Sequence, residues 1–178
     1  YKIMGNKNPS IFILDVDGVL TTGHFIYTEE GKSMKIFGPD DNDGLALLKK
    51  FIDIRFISAD KKGFKISNKR VAIDMGFKLD LVNTTKRIDW ISQRYPLDEV
   101  IYMGDGIFDH YVMNKVTYSI SPANGDKNAK NAANYITQRS GGDRAVAEAC
   151  LHIMEKFFEP YNPLKEPDYL KKNEALKW

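Results

Sequence analysis

Asp15-Val16-Asp17-Gly18-Val19 follows directly on the apolar run Ile11-Phe12-Ile13-Leu14. A short apolar run of this kind reads as a buried strand, and residues two apart on a strand share a face, so both carboxylates are expected to leave the sheet together. Two acids in one small volume repel unless a cation or a shared proton relieves them, which suits the pair to metal binding and to acid/base chemistry. Gly18 lets the backbone turn sharply beside them. A strand that simply ends in a solvated Asp turn is the plain alternative. Three further segments weigh against it: Ser58 closes another apolar run, Lys86 opens a helical pattern, and Gly104-Asp105-Gly106-Ile107-Phe108-Asp109 follows a third run. Each is weak alone, because a strand-end Ser or a first-turn Lys is commonly solvated surface. Together they supply hydroxyl, cation and carboxylate groups where open parallel sheets collect ligands, at the carboxyl ends of the strands.

The elements that must position these groups alternate along the chain. Strands are expected at 11–16, 54–58, 79–82, 100–103, 116–120 and 134–137, with helices at 43–51, 62–75, 85–95, 108–114, 126–133 and 143–158. Gly76 fits a helix stop and Pro96 forbids continuing the preceding helix. Such alternation predicts an α/β fold, a parallel central sheet covered by helices on both faces. Residues 24–37 break the pattern and read as a β-hairpin around Thr28-Glu29-Glu30-Gly31. One domain is expected over residues 1–158, followed by an extended tail at 159–178 that holds Pro160, Pro163 and Pro167.

The chain has 178 residues, 43% hydrophobic, enough for one sizeable core. A net charge of +2 without a long basic block gives no reason to expect nucleic acid. No run approaches the roughly 18 apolar residues of a membrane span, and no signal-peptide core is evident near the N-terminus, so a cytoplasmic protein is expected. Cys150 stands alone and falls at helical spacing from Val146 and Met154, which predicts a packed core thiol. His24, His110 and His152 lack metal-site spacing. A calcium loop starting at Asp15 fails because Val19, Leu20 and Ile26 stand where ligands and glycine are needed, and no Walker-type phosphate loop is present.

In order and placement these motifs resemble the haloacid dehalogenase superfamily of phosphotransferases over roughly residues 10–155. Asp15-Val16-Asp17 stands for its DxD box, Ser58 for its hydroxyl motif, Lys86 for its lysine motif, and Asp105 with Asp109 for its final acidic motif. The Asp15–Thr21 run, the hairpin, Asp43-Gly44 and Gly141-Gly142 resemble in particular its 3-deoxy-manno-octulosonate 8-phosphate phosphatase subgroup, which includes phosphatases of nine-carbon sugar acids. The resemblance implies a Rossmann-like three-layer sandwich and an Mg²⁺-dependent phosphatase acting through an aspartyl-phosphate. It implies Asp15 as nucleophile, Asp17 as general acid and base, and Ser58 and Lys86 on the phosphoryl oxygens. Asp15, Asp17 through its main-chain carbonyl, and Asp105 would hold the metal, with Asp109, Gly18 and Gly104 in support.

The intervals from Asp17 to Ser58 and from Ser58 to Lys86 leave room for no cap domain. Water exclusion is then expected from neighbouring subunits of a homotetramer, as in the subgroup resembled, with the hairpin as the interface. Four departures concern the substrate: Asp60 stands where a cation is common, Gly106 where a second acid is usual, Arg144 replaces a glycine, and Ala147 replaces an arginine. Asp60 and Arg144 are therefore candidate substrate-side residues. A phosphorylated sugar acid is the expected substrate; a non-catalytic oligomerisation module, like the C-terminal domain of animal acylneuraminate cytidylyltransferases, is the alternative reading.

Overall fold

The computed structural model describes residues 8–167. Its strands are β1 (Ile11–Asp15), β2 (Thr21–Thr28), β3 (Gly31–Phe37), β4 (Asp53–Ser58), β5 (Lys78–Leu81), β6 (Val100–Met103), β7 (Tyr118–Ser121) and β8 (Tyr135–Ile136). Its helices are α1 (Asp41–Leu48), α2 (Phe64–Asn68), α3 (Arg87–Ser92), α4 (His110–Met113), α5 (Lys127–Ala132) and α6 (Ala145–Phe157). Six strands form one parallel sheet in the order β5-β4-β1-β6-β7-β8. β1, which carries the acidic pair, lies near its centre between β4 and β6.

Strand alternation divides the core. Phe12 and Leu14 face one side of the sheet, with Leu45 and Leu48 of α1 and Val146, Ala149, Cys150 and Ile153 of α6. Ile11 and Ile13 face the other, with Ile91 of α3, Val112 and Met113 of α4 and Ala129 of α5. Both sides of β1 are thus covered, and a side chain such as Ile13 or Leu14 contributes roughly 1.5–3 kcal/mol by leaving water. The expected α/β sandwich is the fold, and Cys150 is the buried core thiol anticipated. Helix and strand limits differ from expectation by a few residues. α2 gives way to a wider coil over Lys69–Asp74 instead of continuing as one helix.

β2 and β3 pair only with each other as an antiparallel ribbon. The ribbon begins at Thr21, three residues before the expected hairpin, immediately after the turn Val16–Leu20. The segments between Asp17 and Ser58 are this ribbon, α1 and β4, and those between Ser58 and Lys86 are α2, its wide continuation, β5 and a short turn at Thr84–Lys86. Residues 160–166 run exposed beyond α6. The remainder of the expected tail, 168–178, lies outside the described residues, as do residues 1–7 of the expected domain. Among the described residues no helix is long and apolar enough to cross a membrane.

Candidate active site

β1 stops at Asp15, and the chain enters a wide turn in which Asp17 has φ −79° and ψ 116° and Gly18 has φ 87°. Gly18 sits so close to the Asp105 carboxylate that a Cβ there would overlap it, and its positive φ suits glycine alone. The Gly141-Gly142 loop packs against the same turn: a Cβ on Gly141 would run into the Gly18 carbonyl, and Gly142 N–H donates to Val19 O at 3.3 Å. Those glycines shape the loop that carries the acids.

Because the strand ends early, the two acids do not point to one place as expected. Asp15, 6% exposed, accepts from Val16 N–H at 2.8 Å and from Arg87 Nη1 at 2.6 Å. It joins Asp105 and Asp109 in a cluster whose ligand atoms lie within 4.8 Å of one another. Burial pushes Asp15 up to about 6, against the opposing pull of Arg87 and with added repulsion from Asp109 and Asp17. Burial, then Asp15 and Asp109, push Asp105 up to about 8. Such strain is what a cation relieves, and three hard carboxylate donors suit a divalent metal of the Mg²⁺ type.

The side chain of Asp17 lies outside that cluster. Its Oδ2 accepts from Ser58 Oγ at 2.9 Å, and its Oδ1 lies 2.7 Å from Lys35 Nζ. The expected metal contact of Asp17 is its main-chain carbonyl, which this placement of the side chain leaves untouched. Ser58 is fully buried at the end of β4. Gly104 N–H ties the end of β6 to Ile120 O at 3.2 Å, and Asp109 accepts from Gly106 N–H at 2.8 Å, so the Gly104–Asp109 segment folds back on itself.

Lys86, expected on the phosphoryl group, is exposed at the start of α3. Its neighbour Arg87 is buried in the carboxylate cluster: only 1% exposed, it donates to Asp15, to Asp109 at 2.8 Å and to the Tyr102 hydroxyl at 2.9 Å. Burial disfavours its charge, yet Asp15, Tyr102 and Asp109 together hold it firmly protonated. Tyr102 donates in turn to Asp109 at 2.6 Å. Sequence reasoning missed Arg87, Tyr102 and Lys35. The adjacency of Lys86 and Arg87 was the available signal for the first, but only the helix register says which of the two faces inward.

The substrate-side candidates separate as well. Asp60 stands beside Asp17: it meets Lys32 at 2.6 Å and Lys35 at 2.9 Å and accepts from Gly63 N–H at 3.0 Å. Burial pushes its carboxyl up, but the two lysines outweigh this and hold it at about 2. Arg144, with φ 70°, instead pairs on the surface with Asp40 at 2.6 Å and Asp143 at 3.1 Å.

A haloacid dehalogenase-like hydrolase family model matches residues 90–149. The 3-deoxy-D-manno-octulosonate 8-phosphate phosphatase of Escherichia coli K12 is 31% identical over 149 residues, covering 81% of this chain and 78% of that protein. The same-named enzyme of Moraxella catarrhalis, solved with magnesium, phosphate and KDO, superposes with a TM-score of 0.69 at 26% identity, covering 83% of this chain and 86% of that one. The cobalt-bound enzyme of Haemophilus influenzae gives 0.70 at 27% identity, covering 83% and 88%. Fold and relatives define a phosphatase of the haloacid dehalogenase class, a phosphoric monoester hydrolase. The chain belongs to the family of the 3-deoxy-D-manno-octulosonate 8-phosphate phosphatases. Enzymes of this class need a divalent metal, which the Asp15, Asp105 and Asp109 cluster could hold. Nothing in these matches favours the non-catalytic module.

Proposed function

We propose that this phosphatase uses Mg²⁺ to hydrolyse a phosphorylated sugar acid, of the 3-deoxy-D-manno-octulosonate 8-phosphate or nine-carbon ulosonic acid 9-phosphate type, through an aspartyl-phosphate on Asp15. The observation that supports it most is the convergence of Asp15, Asp105, Asp109 and Arg87 at the carboxyl ends of β1 and β6. Asp15 attacks phosphorus as the bond from phosphorus to the sugar oxygen breaks, and Asp17 gives its proton to that departing oxygen. Asp17 then takes a proton from water, which attacks phosphorus, releases inorganic phosphate and restores Asp15. Asp15, Asp105 and the main-chain carbonyl of Asp17 are the proposed ligands, with Asp109 beside them; the bound ion supplies positive charge against the repulsion between carboxylate and phosphate.

Ser58 is assigned to the phosphoryl oxygens, its single hydroxyl proton turning from Asp17 to them when the ester binds, which leaves Lys35 as the fixed hold on Asp17. Arg87, and not Lys86, is assigned as the fixed charge that holds Asp15 and offsets the transition state. Residues 1–158 form the proposed catalytic domain, capless, with the 24–37 hairpin as the interface of a homotetramer that acts in the cytoplasm. The two hairpin lysines that neutralise Asp60 remove the repulsion it would otherwise direct at a carboxylated sugar.

The reading is tested by phosphate release from both sugar-acid phosphates, with Mg²⁺ and after chelation. Activity on at least one that vanishes with chelator and returns with Mg²⁺ is expected, and Asp105→Ala should need more Mg²⁺ to reach half-maximal rate. Equal rates with and without the metal, or an unchanged Mg²⁺ requirement in Asp105→Ala, would overturn the metal assignment.

A further inference from the structure

Lys35 is an anomaly on its own element. The hairpin is otherwise largely exposed, yet the Lys35 side chain is 0% exposed. Its Nζ lies 2.7 Å from Asp17 Oδ1, 2.9 Å from Asp60 Oδ2 and donates to Ser67 Oγ at 2.8 Å. Enclosed by two carboxylates and a hydroxyl, the Lys35 ammonium has no exposed surface from which to reach a substrate. Whatever it does for the reaction it does through its neighbours.

The neighbour that matters is Asp17. It lies beyond the end of β1 in an irregular turn, where sheet geometry does not orient its side chain. Ser58 from β4 holds one carboxylate oxygen and Lys35 from β3 holds the other, a two-point grip from separate elements. Removing one partner of an ion pair this close, with the lysine fully buried, is costly. Asp60 anchors the far side of Lys35 and is itself gripped by Lys32, whose Nζ lies 3.4 Å from the centre of the Phe25 ring. The hairpin is thus tied to Asp17 through Phe25, Lys32, Asp60 and Lys35.

We propose that Lys35 is a positioning residue: it carries the hairpin's hold on the Asp17 carboxylate and aims it at the departing oxygen, with Asp60 as its counter-anchor. This rests on the reading of Asp17 as general acid. It explains an acid at position 60 without a direct substrate contact: Lys32 and Lys35 face Asp17 and Asp60, two charges of each sign, so that without Asp60 one buried cation would be left unbalanced.

Phenyl phosphate and p-nitrophenyl phosphate separate the effects, since the nitrophenolate leaves readily without a proton and the phenolate does not. With the full-length protein and Mg²⁺, Lys35→Met should lower kcat on phenyl phosphate at least about tenfold more than on p-nitrophenyl phosphate, within the range that general-acid catalysis contributes, while KM moves less than about threefold. Asp17→Asn should show the same gap or a larger one. Lys35→Met leaves two carboxylates facing each other, so Lys35→Met/Asp60→Asn, which removes that repulsion, carries the measurement if the single variant does not fold; it should keep the gap. Equal losses on both esters, or a double variant that closes the gap, would overturn the positioning role while Asp17→Asn still shows it. An Asp17→Asn variant without a gap would overturn the reading of Asp17 itself, and the role of Lys35 with it.

Discussion

Two adjacent basic residues at the head of α3 have opposite fates, and the difference is testable. Arg87 is buried against Asp15 and Asp109, whereas Lys86 is exposed. Removing a preorganised charge of this kind typically costs about 10²–10³ in turnover, so Arg87→Met should lose that much kcat while Lys86→Met stays within about tenfold of wild type. Steady-state kinetics on both variants decides it; a larger loss in Lys86→Met would return the role to the lysine. Asp15→Asn removes the proposed nucleophile, since an amide oxygen attacks phosphorus poorly and binds metal weakly, and should cost at least about 10³-fold. Retention within about tenfold would exclude the covalent route, and unchanged circular dichroism would show that the fold is intact.

At the scale of elements, α1 and α6 are joined by a buried acid that takes no part in the proposed chemistry. Asp41 opens α1, is 2% exposed, and accepts from Ala147 N–H at 2.9 Å, capping the first turn of α6. Burial pushes its carboxyl up to about 7, against the pull of the Ala147 N–H. Between its ordinary value of 3.8 and about 7 the folded chain keeps a proton that the unfolded chain has lost, so stability falls as pH rises through that window. The loss is on the order of 1.4 kcal/mol for each pH unit between the two values. Asp41→Asn keeps the capping oxygen and cannot ionise. Its melting temperature should therefore exceed that of wild type at pH 8 and converge toward it near pH 5, as calorimetry across that range would show. Parallel curves would mean that Asp41 titrates normally.

For the whole molecule, the proposed homotetramer turns on the ribbon that pairs with no strand of the main sheet. Phe25, Ile26, Tyr27, Met34 and Ile36 are exposed by 42–57% on β2 and β3, more apolar surface than a two-stranded ribbon buries by itself. Light scattering should give four chain masses, and Tyr27→Glu with Met34→Glu should shift the population to smaller species with reduced activity. A fully active monomer at micromolar concentration would remove both the interface and the idea that neighbours stand in for a cap.

How much of this was legible in the chain depends on the range of the interactions involved. Ile11–Leu14 followed by Asp15 needs only local periodicity to be read as a central strand ending in an acid, and the order of Asp15, Ser58 and Asp105 along alternating elements suffices to bring them to one sheet edge. The α/β class, the hairpin and the metal-type carboxylates were determined at that level. Long-range packing decided the rest. The phase of α3 relative to β1 put Arg87 inside and left Lys86 out, a choice of one residue that no spacing rule contains. The stop of β1 at Asp15 sent Asp17 toward Ser58 rather than into the carboxylate cluster. Lys35 and Asp60, on different elements, found each other only because the ribbon folds back over the end of β4, and a buried charge pair of that kind exists only once three dimensions supply both partners.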